Sequence, residues 1–301
     1  MHKGLRWALV ATLLLACAYY WLLIESHVPG AESFTIDMPQ VRRLANSASG
    51  DKPSAIHVEQ VAAFEFPGIG VMAGDSWARR KLPVFSYQLI YPGHTAIIDT
   101  AIDPKLTKPM HAAEFDSAAY ARMSKALDAA SLILITHEHP DHIGGLTAQP
   151  DLPKILKVAR LTQTQTKSTK EMLPAAFPPG ALVGYSGLPD DPYQAVAPGV
   201  VLIRSPGHSP GSQMIFVQTA DGGEFLFLGD VAWQSQNIER VRERARLMTW
   251  YLDEDRVKVM GQLVALHELR EAEPKLHMIP GHDGVAIEQL TETRALHPGF
   301  E

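Results

Sequence analysis

Residues 131–145 read SLILITHEHPDHIGG and place three histidines and an aspartate directly after a run of apolar residues. The apolar half is typical of a buried strand, and the proline marks a turn behind it. Side chains two positions apart on an extended backbone point to the same side, so His137 and His139 can converge on one point. Asp141 and His142 follow the turn and can reach a neighbouring point. This loop therefore predicts ligands for two metal ions.

Three further segments repeat the same arrangement, an apolar run followed by a turn with a candidate ligand at its tip. The tips carry His208, Asp230 and His282, and they follow the runs Val200–Ile203, Phe225–Leu228 and Leu276–Ile279. Histidine nitrogen and carboxylate oxygen suit zinc, iron or manganese, and an aspartate between two ions can bridge them. One Gly-His or Gly-Asp pair is a weak motif, and we interpret the remaining histidines as structural or solvated. The four segments together predict a two-metal centre.

Other apolar runs predict the rest of an α/β architecture. Further strands are expected at Val61–Phe66, Phe85–Tyr91, Ala96–Ile98 and Met214–Val217. Helices are expected over Asp116–Ala130, Ile238–Leu252 and Val257–Glu271, the last after Asp255 as its N-cap. Strands interleaved with helices indicate the α/β class. Trp77, Arg79 and Arg80 are interpreted either as a loop at the mouth of the site or as a plain surface turn.

The N-terminal segment is apolar and uncharged from Ala8 to Ile24, and Lys3 and Arg6 precede it. This pattern favours an export or anchoring segment, and the positive flank predicts that the remaining chain faces the periplasm. Leu14–Cys17 resembles a bacterial lipobox, so a lipoprotein, an uncleaved anchor and a cleaved signal all stay open. We predict a membrane anchor or signal over residues 1–27, a linker over 28–55 and a catalytic domain over 56–301.

Composition limits the classes of function. The chain has 301 residues, 46% of them hydrophobic and 20% charged, which is ordinary for a folded globular protein. The net charge of -6 comes with no basic stripe, so no nucleic-acid partner is expected and a small-molecule substrate is favoured. Cys17 is the single cysteine and lies in the apolar segment, so thiolate ligands are excluded from the metal centre. The oligomeric state is left open.

The order and spacing of these motifs resemble the metallo-β-lactamase superfamily over roughly Ile56 to Gly284. The resemblance implies an αββα four-layer sandwich, with two sheets face to face between helices. It also implies a first metal on His137, His139 and His208, a second on Asp141, His142 and His282, and Asp230 as the bridge. The strand end at Ile97–Thr100 resembles an early motif of the family, in which Asp99 would support the ligand loop from behind. Ala101 stands where the family usually has glycine.

Within the superfamily, the ligand loops at residues 206–211 and 281–283 resemble the acyl-homoserine lactonase branch. Asp230 as a bridging carboxylate differs from true β-lactamases. The lactonase branch places a tyrosine three residues after this aspartate, where the present chain has Trp233, so Trp233 is expected to contact substrate through its N–H or its apolar face. A glyoxalase II relationship is disfavoured because 19 residues follow His282.

The resemblance implies a metal-dependent hydrolase that cleaves an ester, lactone, thioester or amide carbonyl, with lactones first. A hydroxide bridging two Zn²⁺ ions would attack the carbonyl, and Asp141 would handle the proton. Iron and manganese are the alternative metals. An iron-dependent redox enzyme similar to sulfur dioxygenases is the second hypothesis, and β-lactamase or phosphodiesterase activity is the third.

Overall fold

The computed structural model describes residues 3–301, and residues 1 and 2 of the predicted membrane segment lie outside the described residues. The strands are β1 (Ala55–Pro67), β2 (Arg79–Tyr91), β3 (His94–Ile98), β4 (Glu114–Phe115), β5 (Leu132–Leu134), β6 (Tyr193–Ala197), β7 (Val200–Arg204), β8 (Gln213–Gln218), β9 (Glu224–Phe227), β10 (His277–Ile279) and β11 (His297–Pro298). The helices are α1 (Lys3–Tyr19), α2 (Met38–Ala45), α3 (Gly68–Val71), α4 (Ser117–Ala129), α5 (Pro140–Thr147), α6 (Leu152–Leu156), α7 (Gln163–Lys167), α8 (Ser235–Glu239), α9 (Arg246–Tyr251), α10 (Arg256–Ala272) and α11 (Gly284–Glu292).

Two sheets form the centre of the molecule. The first has the strand order β11-β1-β2-β3-β5, with β4 paired to β1, and the second has the order β10-β9-β8-β7-β6. Their inner faces meet in one apolar core that includes Leu89 and Ile98 from the first sheet and Ile215 and Phe227 from the second. Burial of these side chains holds the two sheets face to face.

Helices cover both outer faces. Met123 and Leu127 of α4, together with Ile143 of α5, pack on the first sheet. Val41 of α2 and Leu263 of α10 pack on the second. The predicted αββα sandwich is therefore confirmed, because each sheet has one face towards the other sheet and one face towards helices.

The strands predicted from apolar runs agree with the structure, whereas one predicted helix does not. Each predicted run falls on a strand, and α4 and α10 begin after the N-caps Asp116 and Asp255. The single helix expected over Ile238–Leu252 is wrong, because α8 and α9 are separate and Val241 between them has φ of 48°. Glu243 and Arg244 of that connection are buried rather than solvated, which a continuous exposed helix would not allow.

The N-terminal region holds one long exposed helix and one short packed helix. Helix α1 continues through a wider turn at Tyr20–Ile24, and Lys3–Ile24 is long and apolar enough to cross a membrane. Helix α2 lies within the predicted linker, and its Arg42 forms ion pairs with Glu224 and Glu273. This part of the predicted linker thus lies against the second sheet. The division into segments 1–27, 28–55 and 56–301 stays a prediction.

Candidate metal centre

The loop after β5 and the first turn of α5 form one side of the site. His139 is the N-cap of α5, Pro140 opens the helix, and Asp141 and His142 follow in its first turn. The start of α5 lies against the backbone of the first sheet, where a Cβ on Gly145 would be 2.0 Å from the Thr100 carbonyl oxygen. Only glycine permits this approach, which explains why the ligand motif ends in Gly-Gly.

Asp99 holds this loop from behind. Its carboxylate accepts hydrogen bonds from the Thr136 N–H and the Thr136 hydroxyl, each at 2.7 Å, and lies 2.8 Å from Nδ1 of His142. Asp99 and Ala101 have φ of 55° and 53°, so the tight turn forms although alanine replaces the usual glycine. These contacts fit the supporting role that the sequence predicts for Asp99, because a carboxylate behind a ligand histidine fixes the ring.

The second sheet supplies the other side of the site. His208 follows β7, Asp230 lies in a short turn after β9, and His282 follows β10. The Nδ1 atom of His282 is 2.8 Å from the carbonyl oxygen of Pro83, which orients the ring. Its Nε2 atom therefore faces Asp230 Oδ1 at 3.3 Å and Asp141 Oδ2 at 3.5 Å.

The structure brings all seven predicted ligands together. Three sets have ligand atoms within 4.8 Å of one another: His137, His139 and His208; His137, His142 and Asp230; Asp141, His142 and His282. The first and third sets share no residue, and Asp230 of the second set lies between them. This is the division into two metal positions and a bridge that the sequence predicted, and the role of each residue as a ligand stays a prediction.

The polar atoms of the site fit a divalent metal. Among the described residues, His137 Nε2, His142 Nε2 and Asp230 Oδ1 are buried without a hydrogen-bond partner. A buried polar atom without a partner is costly, and three of them facing one centre fit a bound cation. Imidazole and carboxylate are ligands of divalent metals, so the residues present support a divalent metal here.

The histidines differ in how their surroundings affect protonation. Burial, with the neighbouring His142, lowers the pKa of His137 well below its usual value, and burial with His208 does the same for His139. Burial opposes the charged form of His142 too, yet the Asp230 and Asp99 carboxylates raise its pKa well above the usual value. Burial opposes the charged form of His282 as well, but the Asp230 and Asp141 carboxylates together raise its pKa. The pKa values of His137 and His139 are thus shifted in the opposite direction to those of His142 and His282.

A buried charged network behind His208 was not found from the sequence. Glu254 Oε1 lies 2.8 Å from His208 Nδ1, and the buried Arg244 guanidinium donates hydrogen bonds to both Glu254 oxygens. Although burial alone would raise it, the pKa of Glu254 is lowered by Arg244 and His208. The Arg244 guanidinium also stacks 4.8 Å from the ring centre of Trp233.

Trp233 is tied to the predicted bridging carboxylate. Its indole N–H donates a hydrogen bond of 2.6 Å to Asp230 Oδ2, so this donor is engaged within the protein. The indole ring lines the cavity over the site, so the expected contact with substrate stays a prediction for its apolar face.

A cavity of about 650 Å³ opens above the metal centre. His139, Asp141, His208, Asp230 and His282 lie at its base. Its walls are largely apolar and include Phe64, Phe66, Leu82, Met110, Met248, Trp250 and Tyr251. The cavity is not lined by Trp77, Arg79 or Arg80. The structure therefore does not support the interpretation of these residues as a loop at the mouth of the site. An apolar cavity over a few polar groups is typical of a site for a small organic substrate.

Comparison with known proteins places this fold and site in a family. A model of the metallo-beta-lactamase superfamily matches residues 79–282, more than half of the chain. The chain therefore belongs to the metallo-beta-lactamase superfamily.

Curated relatives match part of the chain. An N-acyl homoserine lactonase of Bacillus cereus is 34% identical over 107 residues, which are 36% of this chain and 40% of that protein. A hydroxyacylglutathione hydrolase of Albidiferax ferrireducens is 27% identical over 154 residues, 51% of each chain. The match thus spans about 40% of the length of the lactonase.

Solved structures share the fold at low sequence identity. A quorum-quenching N-acyl homoserine lactone lactonase has a TM-score of 0.61 at 20% identity, with 81% of this chain and 97% of that chain covered. An N-acyl homoserine lactone hydrolase with the product N-hexanoyl-L-homoserine at its catalytic metal center has a TM-score of 0.60 at 19% identity, with 80% and 96% covered. At such identities the likeness shows the fold alone.

Proposed function

We propose that this protein is a dizinc, lactonase-like hydrolase that opens the carbonyl–oxygen bond of an acyl-bearing lactone. The main support is the position of Asp230. Its carboxylate lies between the two ligand sets that share no residue and has a buried oxygen without a hydrogen-bond partner. Two further findings support the reaction: the curated relatives include N-acyl homoserine lactonases, and one structural neighbour is described as a dizinc quorum-quenching lactonase.

Different residues have different roles in the proposed hydrolysis. When bound, the metals supply Lewis-acid polarisation of the carbonyl and lower the pKa of water. Asp141 faces the cavity with part of its side chain exposed, so it is placed to take and return the proton. Glu254 orients His208, Asp99 orients His142, and Trp233 orients Asp230. The apolar cavity walls bind the acyl part of the substrate and exclude water.

We place the catalytic domain outside the cytoplasm, tethered to the membrane through α1. The support is the apolar length of Lys3–Ile24 and the positive residues that precede its apolar core. The substrate is a small molecule, and the membrane is the expected partner of the N-terminal segment.

The proposal is tested by metal analysis together with substrate hydrolysis. The full chain, purified without added metal, should hold about two zinc ions per chain, as expected for a dinuclear hydrolase site, and should open lactones in preference to β-lactams, thioesters and phosphodiesters. Asp230→Ala should lose both metal and activity, whereas Asp128→Ala, on an exposed ion pair with Lys154, should keep both. Iron with oxygen consumption and no hydrolysis would replace the proposal by redox chemistry.

A further inference from the structure

The end of the N-terminal helix is clamped to the catalytic domain. Arg246 of α9 donates hydrogen bonds to Glu25 Oε2 at 2.5 Å and to the Trp21 carbonyl oxygen at 3.2 Å. Its guanidinium also lies 4.5 Å from the centre of the Trp21 ring. On the neighbouring side, the Gly74 N–H donates to the Leu23 carbonyl oxygen at 2.9 Å. The helix therefore leaves the domain at a fixed place and not through a free tether.

The helix that holds this clamp also forms a wall of the cavity over the metal centre. Met248, Trp250 and Tyr251 of α9 line that cavity. Trp250 meets Trp21 edge to face, with ring centres 5.2 Å apart. Helix α9 thus contacts the end of the apolar helix and also lines the cavity over the metal centre.

Aromatic and apolar side chains are exposed around this junction. Tyr251 is 80% exposed, Trp250 55% and Leu247 52%, and Trp77 is exposed beside α1 with its N–H donating to the Tyr19 hydroxyl. We call Trp77, Leu247, Trp250 and Tyr251 the aromatic rim. Tryptophan and tyrosine are enriched where a protein meets the headgroup layer, because one end of the ring is apolar and the other can hydrogen-bond.

The length of the helix sets where the rim would lie. The span Lys3–Ile24 has 22 residues, which at a rise of about 1.5 Å per residue is about 33 Å and matches a hydrocarbon core of about 30 Å. Trp21 is in the last turn of that span, so it reaches the headgroup layer when the span crosses the membrane. Because Trp250 contacts Trp21, the aromatic rim lies at the same depth.

We propose that the aromatic rim lies in the membrane interface and that the cavity opens onto the bilayer. The substrate would then be an amphiphile that keeps its acyl chain in the lipid until its carbonyl enters the cavity beside Trp250 and Tyr251, the two rim residues that line it. The chemistry of this substrate rests on the proposed lactonase-like function, whereas the orientation of the rim rests only on the clamp and the exposed side chains.

The orientation is tested without catalysis, in the full chain reconstituted into phosphatidylcholine vesicles. Tyr251→Cys and Val183→Cys, each combined with Cys17→Ser, would carry a polarity-sensitive dye, and the lipid would carry a quencher near its headgroup. Val183 is the matched control because it is apolar, 86% exposed and on a different surface cavity. An interfacial position about 5 to 10 Å deep predicts that the dye at position 251 loses more than about half of its fluorescence, while the dye at 183 is unaffected.

Loss of the clamp should move the rim away from the lipid. In the Tyr251→Cys background, Arg246→Gln removes the ion pair with Glu25 and should reduce lipid quenching, with circular dichroism confirming an intact fold. If the dye at 251 is quenched by aqueous iodide as strongly as the dye at 183, and not by lipid, the orientation is overturned. Disulfide cross-linking between two copies through position 251 would overturn it as well, because it would assign the rim to a protein interface.

Substrate delivery is tested by comparing two lactones, one with a long acyl chain held in the vesicles and one with a short chain dissolved in water. Arg246→Gln should lower turnover of the vesicle-borne lactone and leave turnover of the soluble lactone near that of the unaltered chain. Equal losses on both would overturn delivery from the bilayer. If the unaltered chain opens neither lactone, the proposed function fails, and the dye measurement still decides the orientation.

Discussion

Glu254 contacts His208, a candidate ligand of the first metal, without being a candidate ligand itself. It is fully buried, faces His208 Nδ1, and is held in its charged form by Arg244. A carboxylate behind a ligand histidine raises the basicity of the ring and fixes its direction towards the metal. Without Glu254, the buried Arg244 guanidinium would lose the carboxylate that accepts its hydrogen bonds, and removing one partner of a buried ion pair is costly.

We expect Glu254→Gln to weaken metal binding by about 10- to 100-fold, because the neutral amide no longer supports the His208 ring. Competition with a chromogenic chelator measures this change. Glu239→Gln is the control, since Glu239 pairs with Arg270 on the surface, and it should bind metal as the unaltered chain does. Equal affinities in both variants would mean that Glu254 has no part in the metal site.

The sequence predicted the site residues far better than the residues that hold them. Four of the seven ligand candidates lie in the compact loop 137–142, and each of the other three follows a glycine shortly after an apolar run, so the four segments taken together point to metal binding. Glu254 is 46 positions from His208 and stands in the acidic run 253–255, just past the helix expected over Ile238–Leu252, so no local pattern connects it with the metal site. Only the tertiary structure brings the two together.

At the scale of elements, the decisive contact is between α5 and the turn after β3. Backbone atoms of the two segments approach closely, and the Thr100 hydroxyl connects them. This hydroxyl accepts a hydrogen bond from the Leu146 N–H at 2.9 Å and donates one to the His142 carbonyl oxygen. The position of the ligands therefore depends on how closely the helix start can approach the strand end.

Gly145→Ala should push α5 away from this turn and displace the ligands of its first turn. A Cβ there would lie 2.0 Å from the Thr100 carbonyl oxygen, and backbone on both sides cannot give way cheaply. We expect a loss of about 2 kcal/mol or more in the free energy of unfolding, measured by urea denaturation, with reduced metal content. Gly70→Ala is the control, because its nearest atom is the flexible end of Met248 at 3.2 Å. Similar stability of the two variants would contradict this reading of α5.

Strands were predicted where burial on both sides produces a continuous apolar run, as in β5, β7 and β9. Edge strand β6 (Tyr193–Ala197) was missed because its residues are half-buried and mix alanine with polar side chains. The two-residue strands β4 and β11 are too short for any period to show. The packing of two sheets face to face came from the family resemblance, and the order of strands within each sheet was not predicted.

At the scale of the whole molecule, the metal centre joins the two halves of the sandwich. Four of its ligand candidates follow β5 of the first sheet, and the other three follow β7, β9 and β10 of the second. A metal that binds both sets is bound by the folded chain and not by the unfolded one, so its binding free energy stabilises the entire domain.

Protons compete with metal for this stabilisation. In the metal-free chain, His142 and His282 have pKa values raised above 6.5 by carboxylates, chiefly Asp230. A raised pKa in the folded state contributes stability below the unfolded value of about 6.5, and this contribution is lost as the pH rises through the folded value. Metal binding requires the neutral rings, so the gain from metal changes with pH in the opposite direction.

We therefore expect zinc to raise the unfolding temperature of chelator-treated protein more at a pH well above 6.5 than at a pH well below it. Zinc at about 100 times its dissociation constant contributes about 2.7 kcal/mol per site, which is about 5 to 10 °C for a domain of this size. Thermal denaturation at a fixed free zinc concentration measures both values. Asp230→Asn should reduce the zinc-induced rise in unfolding temperature at the higher pH, because it removes the carboxylate that faces both ligand sets. An equal rise at the two pH values would show that His142 and His282 are not metal ligands.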